Sequence, residues 1–327
     1  MLKISARHER WPLAQTFTIA RGGRDAADVV VCEITDGTYT GRGECVPYAR
    51  YGESIASVLG QIDATKPQLP VDDPRRALQT LMPAGAARFA IDAALWDLEA
   101  KQNGQTVWDA LGINPGRKLS TAYTISYNVA EKMAHDAALE NHRPLLKIKL
   151  ARKDDLERLL AVRAAAPNPQ LVVDANEGWS LDDFEAIAPA LVGAGVIAVE
   201  QPLPAGQDSA LKAGAYPFAL CADESVHDRA SLNHIIGRYD MINIKLDKTG
   251  GLTEALEMKA MAQGAGLKIM VGCMVGTSLA MAPAMAAAWD ADIVDLDGPL
   301  LMKDDRTGGI RFEGSQMAFP DPSFWGG

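Results

Sequence analysis

Histidine and cysteine are scarce in this 327-residue chain, and neither is grouped. The four cysteines, Cys32, Cys45, Cys221 and Cys273, form no C-x-x-C pair. They read as reduced thiols, not as a disulfide frame or a zinc knuckle. The five histidines, His8, His135, His142, His227 and His234, show no ligand spacing, which argues against zinc. Basic clusters are missing too. Lys and Arg total 32 against 42 Asp and Glu, a net charge of −10, which speaks against nucleic acid and anionic membranes as partners. No apolar run reaches membrane-spanning length, and the Ala/Met-rich stretch near Ala280 is broken by Pro283. The opening MLKISARHERWPL lacks the apolar core of a signal peptide, so a cytoplasmic protein is expected. No low-complexity linker interrupts the chain, so its domains should pack tightly.

What is present is enough apolar residue, 48% of the chain, for a sizeable core. The first part reads as strands followed by helices. Residues 27–35 and 38–45 flank Asp36-Gly37, a hairpin turn signal. Residues 84–101 read as a helix, with Phe89, Ala93, Trp96 and Ala100 on one stripe and Gly104 as its stop. From about residue 119 short apolar strands alternate with helical stretches. The expected strands are 120–124, 145–149, 171–174, 196–200, 219–223, 241–245, 268–272 and 292–297. Eight strands separated by helices predict a barrel rather than an open sheet.

Most of these strands end in a polar residue: Thr124, Lys149, Asp174, Glu200, Asp223, Lys245, then Asp295 with Asp297. From Thr124 to Lys245 the steps are 22 to 26 residues, one βα unit each. In a barrel such residues converge on the C-terminal mouth, where chemistry sits. One Asp after a strand is as often the N-cap of the next helix. Three acids on successive strands would repel unless a cation neutralised them, and oxygen donors suit Mg²⁺, or the similar Mn²⁺. Lys147 and Lys149 are two apart, so both face the barrel interior or mouth, while Lys245 ends a strand farther round. A balancing role for these lysines is one reading. The other is a pair of opposed bases, with pKa values lowered by nearby positive charge, that take a proton from carbon. The glycines of KTGGLTE are expected in a tight strand-to-helix turn, because no phosphate-loop pattern accompanies them.

The motifs KIK (147–149), VDAN (173–176), VEQP (199–202), ADES (222–225) and IKLDKTGG (244–251), in this order, resemble the muconate-lactonizing-enzyme subgroup of the enolase superfamily. The resemblance covers nearly the whole chain. It implies an α/β fold, a (β/α)₇β modified TIM barrel with an N-terminal α+β capping domain completed by the C-terminal segment. The expected division is 1–115 for the cap, 116–300 for the barrel and 301–327 for the returning segment. The resemblance further implies a divalent cation on Asp174, Glu200 and Asp223, and acid/base roles for Lys149 and Lys245. Lys147 would support the substrate carboxylate, and Asn176 would stand behind Asp174.

Reactions of the subgroup share abstraction of a proton beside a carboxylate, and the fold alone does not choose among them. Within the subgroup, DLDGP (295–299) looks like the D-x-D signature of dipeptide epimerases, whose paired acids bind a free α-ammonium group. An N-acyl amino acid offers no such cation. FTIARGGR (17–24) resembles the mobile cap loop of epimerases acting on L-Ala-D/L-Glu. By that match Arg24 would grip the glutamate side chain, unless it is merely a solvated loop arginine. PYARYGES (47–54) resembles a second cap loop that acts as a lid, and Thr124 a substrate-contacting position. Cys273 either lines the pocket or is an inert buried thiol. The resemblance thus implies epimerisation of a small acidic dipeptide, in murein peptide recycling, with homo-oligomerisation left open. An N-acylamino-acid racemase or a cycloisomerase of the same fold is the nearer alternative, and a non-catalytic peptide-binding protein the more distant one.

Overall fold

The computed structural model describes residues 2–19, 22–150 and 155–327. The chain starts with an antiparallel sheet of β1 (Lys3–Ile19), β2 (Gly22–Thr35) and β3 (Thr40–Cys45). Asp36 builds the β2–β3 turn, its carboxylate accepting from the amides of Thr38 (2.7 Å) and Tyr39 (2.8 Å). Helices α1 (Ile55–Thr65), α2 (Pro74–Leu81), α3 (Ala86–Asn103) and the short α4 (Val107–Ala110) follow. Gly104 ends α3 in a left-handed conformation, as the sequence predicts. Helix α3 lies directly on β3. A Cβ at Gly43 would stand 2.2 Å from the Ala90 carbonyl oxygen, and one at Gly41 2.0 Å from that of Ala94.

Next come β4 (Leu119–Ser120) and the barrel strands β5 (Tyr123–Ile125), β6 (Leu145–Lys149), β7 (Gln170–Asp174), β8 (Val196–Glu200), β9 (Ala219–Ala222), β10 (Met241–Lys245), β11 (Lys268–Gly272) and β12 (Ile293–Asp295). They form one parallel eight-stranded sheet in sequence order. The Ala122 amide donates to the Val294 carbonyl at 2.8 Å and brings the first strand to the last. This is the barrel with a separate antiparallel cap that the sequence predicts. Helices α5 (Ala130–Leu139), α6 (Asp155–Ala165), α7 (Leu181–Gly193), α8 (Leu246–Thr249), α9 (Leu252–Gly264) and α10 (Ser278–Ala288) connect the strands. Among the described residues the β8–β9 connection has no helix and the β9–β10 connection only a 3₁₀ turn, so two expected helices are absent. Among the described residues no helix is long and apolar enough to cross a membrane.

Four expected strands are shorter than predicted: 38–45 starts only at Thr40 and 219–223 stops at Ala222, and two others differ more. The 120–124 segment is split: Ser120 pairs with Gln316 outside the barrel, and only from Tyr123 does the chain join β6. The last strand stops at Asp295, because the chain turns at Asp297 into a 3₁₀ helix. The C-terminal residues form β13 (Arg311–Glu313) and β14 (Gln316–Ala318), which pair with each other and with β4. They then reach the cap. The Trp325 indole donates to the Ala93 carbonyl at 3.1 Å, and the Gly326 amide to Asp97 at 2.7 Å.

Candidate active site

The parallel register brings Lys149 beside Asp174 and Asp174 beside Glu200, at the C-terminal ends of β6, β7 and β8. Lys245 ends β10, and Asp223 follows β9. The Lys149 ammonium donates to Asp174 Oδ2 at 2.6 Å, and Lys245 donates to Asp223 Oδ2. Lys147 sits deeper. Its Nζ is 2.6 Å from Glu200 Oε2, 2.8 Å from Asp295 Oδ2 and 3.1 Å from Asp174 Oδ2.

Charge explains the settings of these groups. Burial opposes ionisation of Asp174, yet Lys147, Lys149 and Lys245 hold its carboxyl below the usual range. Asp223 is likewise pulled down, by Lys245 and Lys248, against burial. Glu200 goes the other way, up to about 7, because burial and repulsion from Asp174 outweigh Lys147 and Lys245. Lys147 approaches Glu200 Oε2 closely but out of hydrogen-bond alignment, so that oxygen has no hydrogen-bond partner. The sequence predicts lysine pKa values lowered by nearby positive charge. In this structure burial works against the Lys245 charge, but Asp223 and Glu200 win and raise its pKa well above the ordinary value.

Six buried carboxylates, on Asp174, Glu200, Asp223, Glu224, Asp295 and Asp297, surround four buried ammonium groups, on Lys147, Lys149, Lys245 and Lys248. With every group ionised, the acids exceed the amines by two. Among the described residues no three acids, histidines or cysteines already stand so as to hold an ion, since ammonium groups share the oxygens. The donor chemistry nonetheless fits Mg²⁺: hard oxygens, excess negative charge and an unbonded Glu200 oxygen.

Above this layer is a cavity lined by Arg24, Lys149, Asn176, Asp223, Lys245 and Cys273, all singled out by the sequence argument. Phe17, Ile19, Tyr51 and Met274 supply its apolar wall. Arg24 comes from the cap. The FTIARGGR segment is a ribbon rather than a loop over its described part, with Phe17 paired to Arg24 and Ile19 to Gly22; Ala20 and Arg21 lie outside the described residues. The 47–54 segment makes a 3₁₀ turn, Ala49–Tyr51, that puts Tyr51 over the cavity. Its Arg50 forks onto Glu177 of the barrel with two 2.8 Å bonds.

Thr124, Lys147, Asp295 and Asp297 do not line this cavity. Lys147, expected to support the substrate carboxylate, is engaged by Asp174, Glu200 and Asp295. Thr124 is buried, and its amide donates to Asp297 Oδ2 at 2.7 Å. Asp297 is pushed up to about 6 by burial and by Asp295. Asp295 Oδ1 is buried with no hydrogen-bond partner. Asn176 is beside Asp174, its amide 3.0 Å from Oδ1.

Three residues escaped the sequence argument. Asn243 donates to Glu200 Oε1 at 2.8 Å, and its position two before Lys245 on β10 was the signal. Lys248 donates to the Asp223 carboxylate and to the carbonyls of Asp223 (2.6 Å) and Asn243 (3.0 Å). Glu224 lines the cavity next to Asp223.

Comparison with known proteins agrees with this geometry. The model of the mandelate racemase / muconate lactonizing enzyme N-terminal domain matches residues 1–112, and the enolase C-terminal domain-like model matches 130–323. The chain is 43% identical over 319 residues to the L-Ala-D/L-Glu epimerase of Escherichia coli K12, covering 97% of this chain and 99% of that one. It is also 43% identical over 307 residues to an N-acetyl-D-glutamate racemase of a Pseudoalteromonas species, covering 91% and 95%. A crystal structure from Agrobacterium tumefaciens, an enolase family member with homology to dipeptide epimerases and with bound sodium and L-Ala-L-Glu, matches with a TM-score of 0.97 and 50% identity over 100% of both chains. A dipeptide epimerase from Enterococcus faecalis, complexed with Mg and L-Leu-L-Tyr, matches with a TM-score of 0.90 and 28% identity over 97% of this chain and 96% of that one.

Proposed function

Because the chain belongs to the mandelate racemase / muconate lactonizing enzyme family of the enolase superfamily, we propose that it is an epimerase interconverting L-Ala-L-Glu and L-Ala-D-Glu. The observation that carries this reading is one cavity bounded by Lys149, Lys245 and Arg24. Two amines from different barrel strands border the same small space, and a guanidinium from the cap completes it.

In this reading one lysine removes the glutamate α-proton and the other returns a proton to the opposite face, inverting the centre. Each is aimed by its carboxylate, Lys149 by Asp174 and Lys245 by Asp223. Arg24 takes the side-chain carboxylate, for which its planar fork is suited. Tyr51, Phe17 and Met274 keep water from the reacting carbon. Mg²⁺ on Asp174, Glu200 and Asp223, with Mn²⁺ as a substitute, would neutralise these acids and offset charge developing on the substrate carboxylate. Asp295 and Asp297 would receive the free α-ammonium group; the unbonded Asp295 oxygen supports that role. Lys147 would support the substrate carboxylate as a fixed cation, Asn176 would stand behind Asp174, and Thr124, whose amide holds Asp297, would contact the substrate.

The second reading, racemisation of an N-acyl glutamate, is favoured by the Pseudoalteromonas relative. The charge that separates a dipeptide from an N-acyl amino acid is the free ammonium group, so the acid pair decides between them. A dipeptide library in D₂O, with N-acetyl-glutamate included and products read by mass spectrometry, tests both. Deuterium at the C-terminal α-carbon of L-Ala-L-Glu is the expected result; label in N-acetyl-glutamate alone would replace this reading with the second. We also propose the division 1–115, 116–300 and 301–327. The gap between the two family matches and the bonds of Trp325 and Gly326 to α3 support it. Recycling of murein peptides in the cytoplasm is the role that this substrate suggests.

A further inference from the structure

Helix α3 of the cap carries a row of polar side chains one turn apart: Arg88, Asp92 and Trp96. All three meet the segment that follows Lys245. Arg88 Nη2 donates to the Thr249 carbonyl at 2.6 Å and Nε to the Gly250 carbonyl at 3.1 Å. Its Nη1 donates to the cap carbonyls of Met82 (3.2 Å) and Gln79 (3.4 Å). Asp92 accepts from the Thr253 amide at 3.1 Å, and the Trp96 indole donates to Thr253 Oγ1 at 3.0 Å.

Arg88 is only 5% exposed, and its hydrogen-bond acceptors among the described residues are main-chain carbonyls. Burying a guanidinium is costly, and an apolar side chain would fill the space without that cost. What a guanidinium adds is direction: one rigid fork ties two carbonyls of the cap to two of the barrel. The carbonyls it takes from the barrel end the single turn α8, where helix partners run out. The Gly-Gly pair makes this approach feasible. A Cβ at Gly250 would lie 2.4 Å from Arg88 Nε, and one at Gly251 2.4 Å from Asp92 Oδ2.

That turn is short and stiff. Lys245 immediately precedes it, and the amides of Gly250 and Gly251 both donate to the Leu246 carbonyl, at 2.9 and 3.0 Å. Lys248, within it, is tied back to Asp223 and Asn243. Lys149 ends β6, far round the barrel, and none of the hydrogen bonds of the α3 row reaches that strand. We infer that Arg88, with Asp92, is a positioning residue for one base only: the cap uses it to set where the Lys245 amine stands. The inference rests on the two-lysine epimerase reading and assigns the cap a part in catalysis on one face of the substrate.

The test follows α-proton exchange in D₂O separately for L-Ala-L-Glu and L-Ala-D-Glu, with Mg²⁺ present. Lys149→Ala and Lys245→Ala variants first assign each epimer to its lysine. Arg88→Met should then slow exchange of the Lys245 epimer by about tenfold to a hundredfold, the scale of a misplaced catalytic group, while the Lys149 epimer changes little. Arg88→Lys should recover part of the loss, and the loss should fall on kcat more than on KM. Amide hydrogen exchange should show weakened protection over 246–253 and unchanged protection in β6 and β7. If Arg88→Met does not fold, Arg88→Lys is read in its place, with a smaller but still one-sided loss. Equal loss for both epimers, or none, overturns the inference. Wild-type protein that exchanges neither epimer overturns the epimerase reading and this inference with it, a result seen before any Arg88 variant is measured.

Discussion

Lys147 and Lys149 lie two residues apart on one strand and do different things. Strand alternation puts both inside the barrel, and that much was legible. Depth was not. Lys147 is closed in by Asp174, Glu200 and Asp295, while Lys149 reaches the cavity within 6.0 Å of the Phe17 ring centre. The difference depends on how far each neighbouring strand extends, which one chain's pattern does not encode. At this scale the cation assignment predicts that exhaustive chelation abolishes α-proton exchange and that Mg²⁺ restores it; full exchange by the chelated protein would remove the assignment. Arg24 gives a sharper expectation. It reaches the cavity from the cap, so Arg24→Ala should lower kcat/KM for L-Ala-L-Glu by about a hundredfold, roughly 2–3 kcal/mol for a lost charged hydrogen bond. A dipeptide with an apolar C-terminal residue has no side-chain carboxylate to lose, and its turnover should change far less. Equal losses on steady-state kinetics would show that Arg24 only shapes the cavity.

Strands β6, β8, β10 and β11 match the sequence expectation residue for residue, because each is a short, mostly apolar stretch set between more polar segments. Where expectation failed, a partner distant in sequence intervened. Ser120 is drawn out of the barrel by Gln316, and β1 passes unread because most of its side chains are exposed or half-exposed and no apolar alternation marks it. The packing of α3 on β3 was equally invisible, since nothing in TGRGEC says which helix covers it. That contact yields a prediction. A methyl at Gly43 meets the main chain of Ala90 and the amide nitrogen of Ala94 at 2.2 and 2.8 Å, and backbone cannot step aside as a side chain can. Gly43→Ala should therefore destabilise the protein by about 1–3 kcal/mol, the usual range for overpacking. Urea unfolding measures it; an unchanged midpoint would mean that sheet and helix separate freely.

Cap and barrel are joined across the whole molecule by buried polar groups, and this makes stability depend on pH. Arg306 of the C-terminal segment donates to Glu44 of β3 at 2.7 Å and to Glu9 of β1 at 2.6 Å, and Glu44 also accepts from the Thr277 amide at 2.7 Å. Burial raises the Glu44 carboxyl despite these partners. Asp92, on the α3 row that grips the barrel, is raised by burial to about 6, above the ordinary carboxylate range, against the pull of its Thr253 hydrogen bonds and of Arg75 and Arg88. The sign follows from proton counts. Below about pH 4 the residue is protonated whether the chain is folded or not, and it adds no pH dependence. Between about pH 4 and 6 the unfolded chain releases its proton while the folded protein keeps it, so folding stability falls as pH rises. Above about pH 6 both forms are ionised and the loss levels off, at about 3 kcal/mol for a shift of about two units. Denaturant unfolding of the wild type and Asp92→Asn from pH 4 to 7 isolates this term, because the other buried acids are common to both. The wild type should lose stability relative to the variant across that window and run parallel to it above. A difference that stays flat, or grows in the wild type's favour, would mean that Asp92 keeps its charge inside the cap–barrel junction and that Arg88 and Arg75, not burial, set its state.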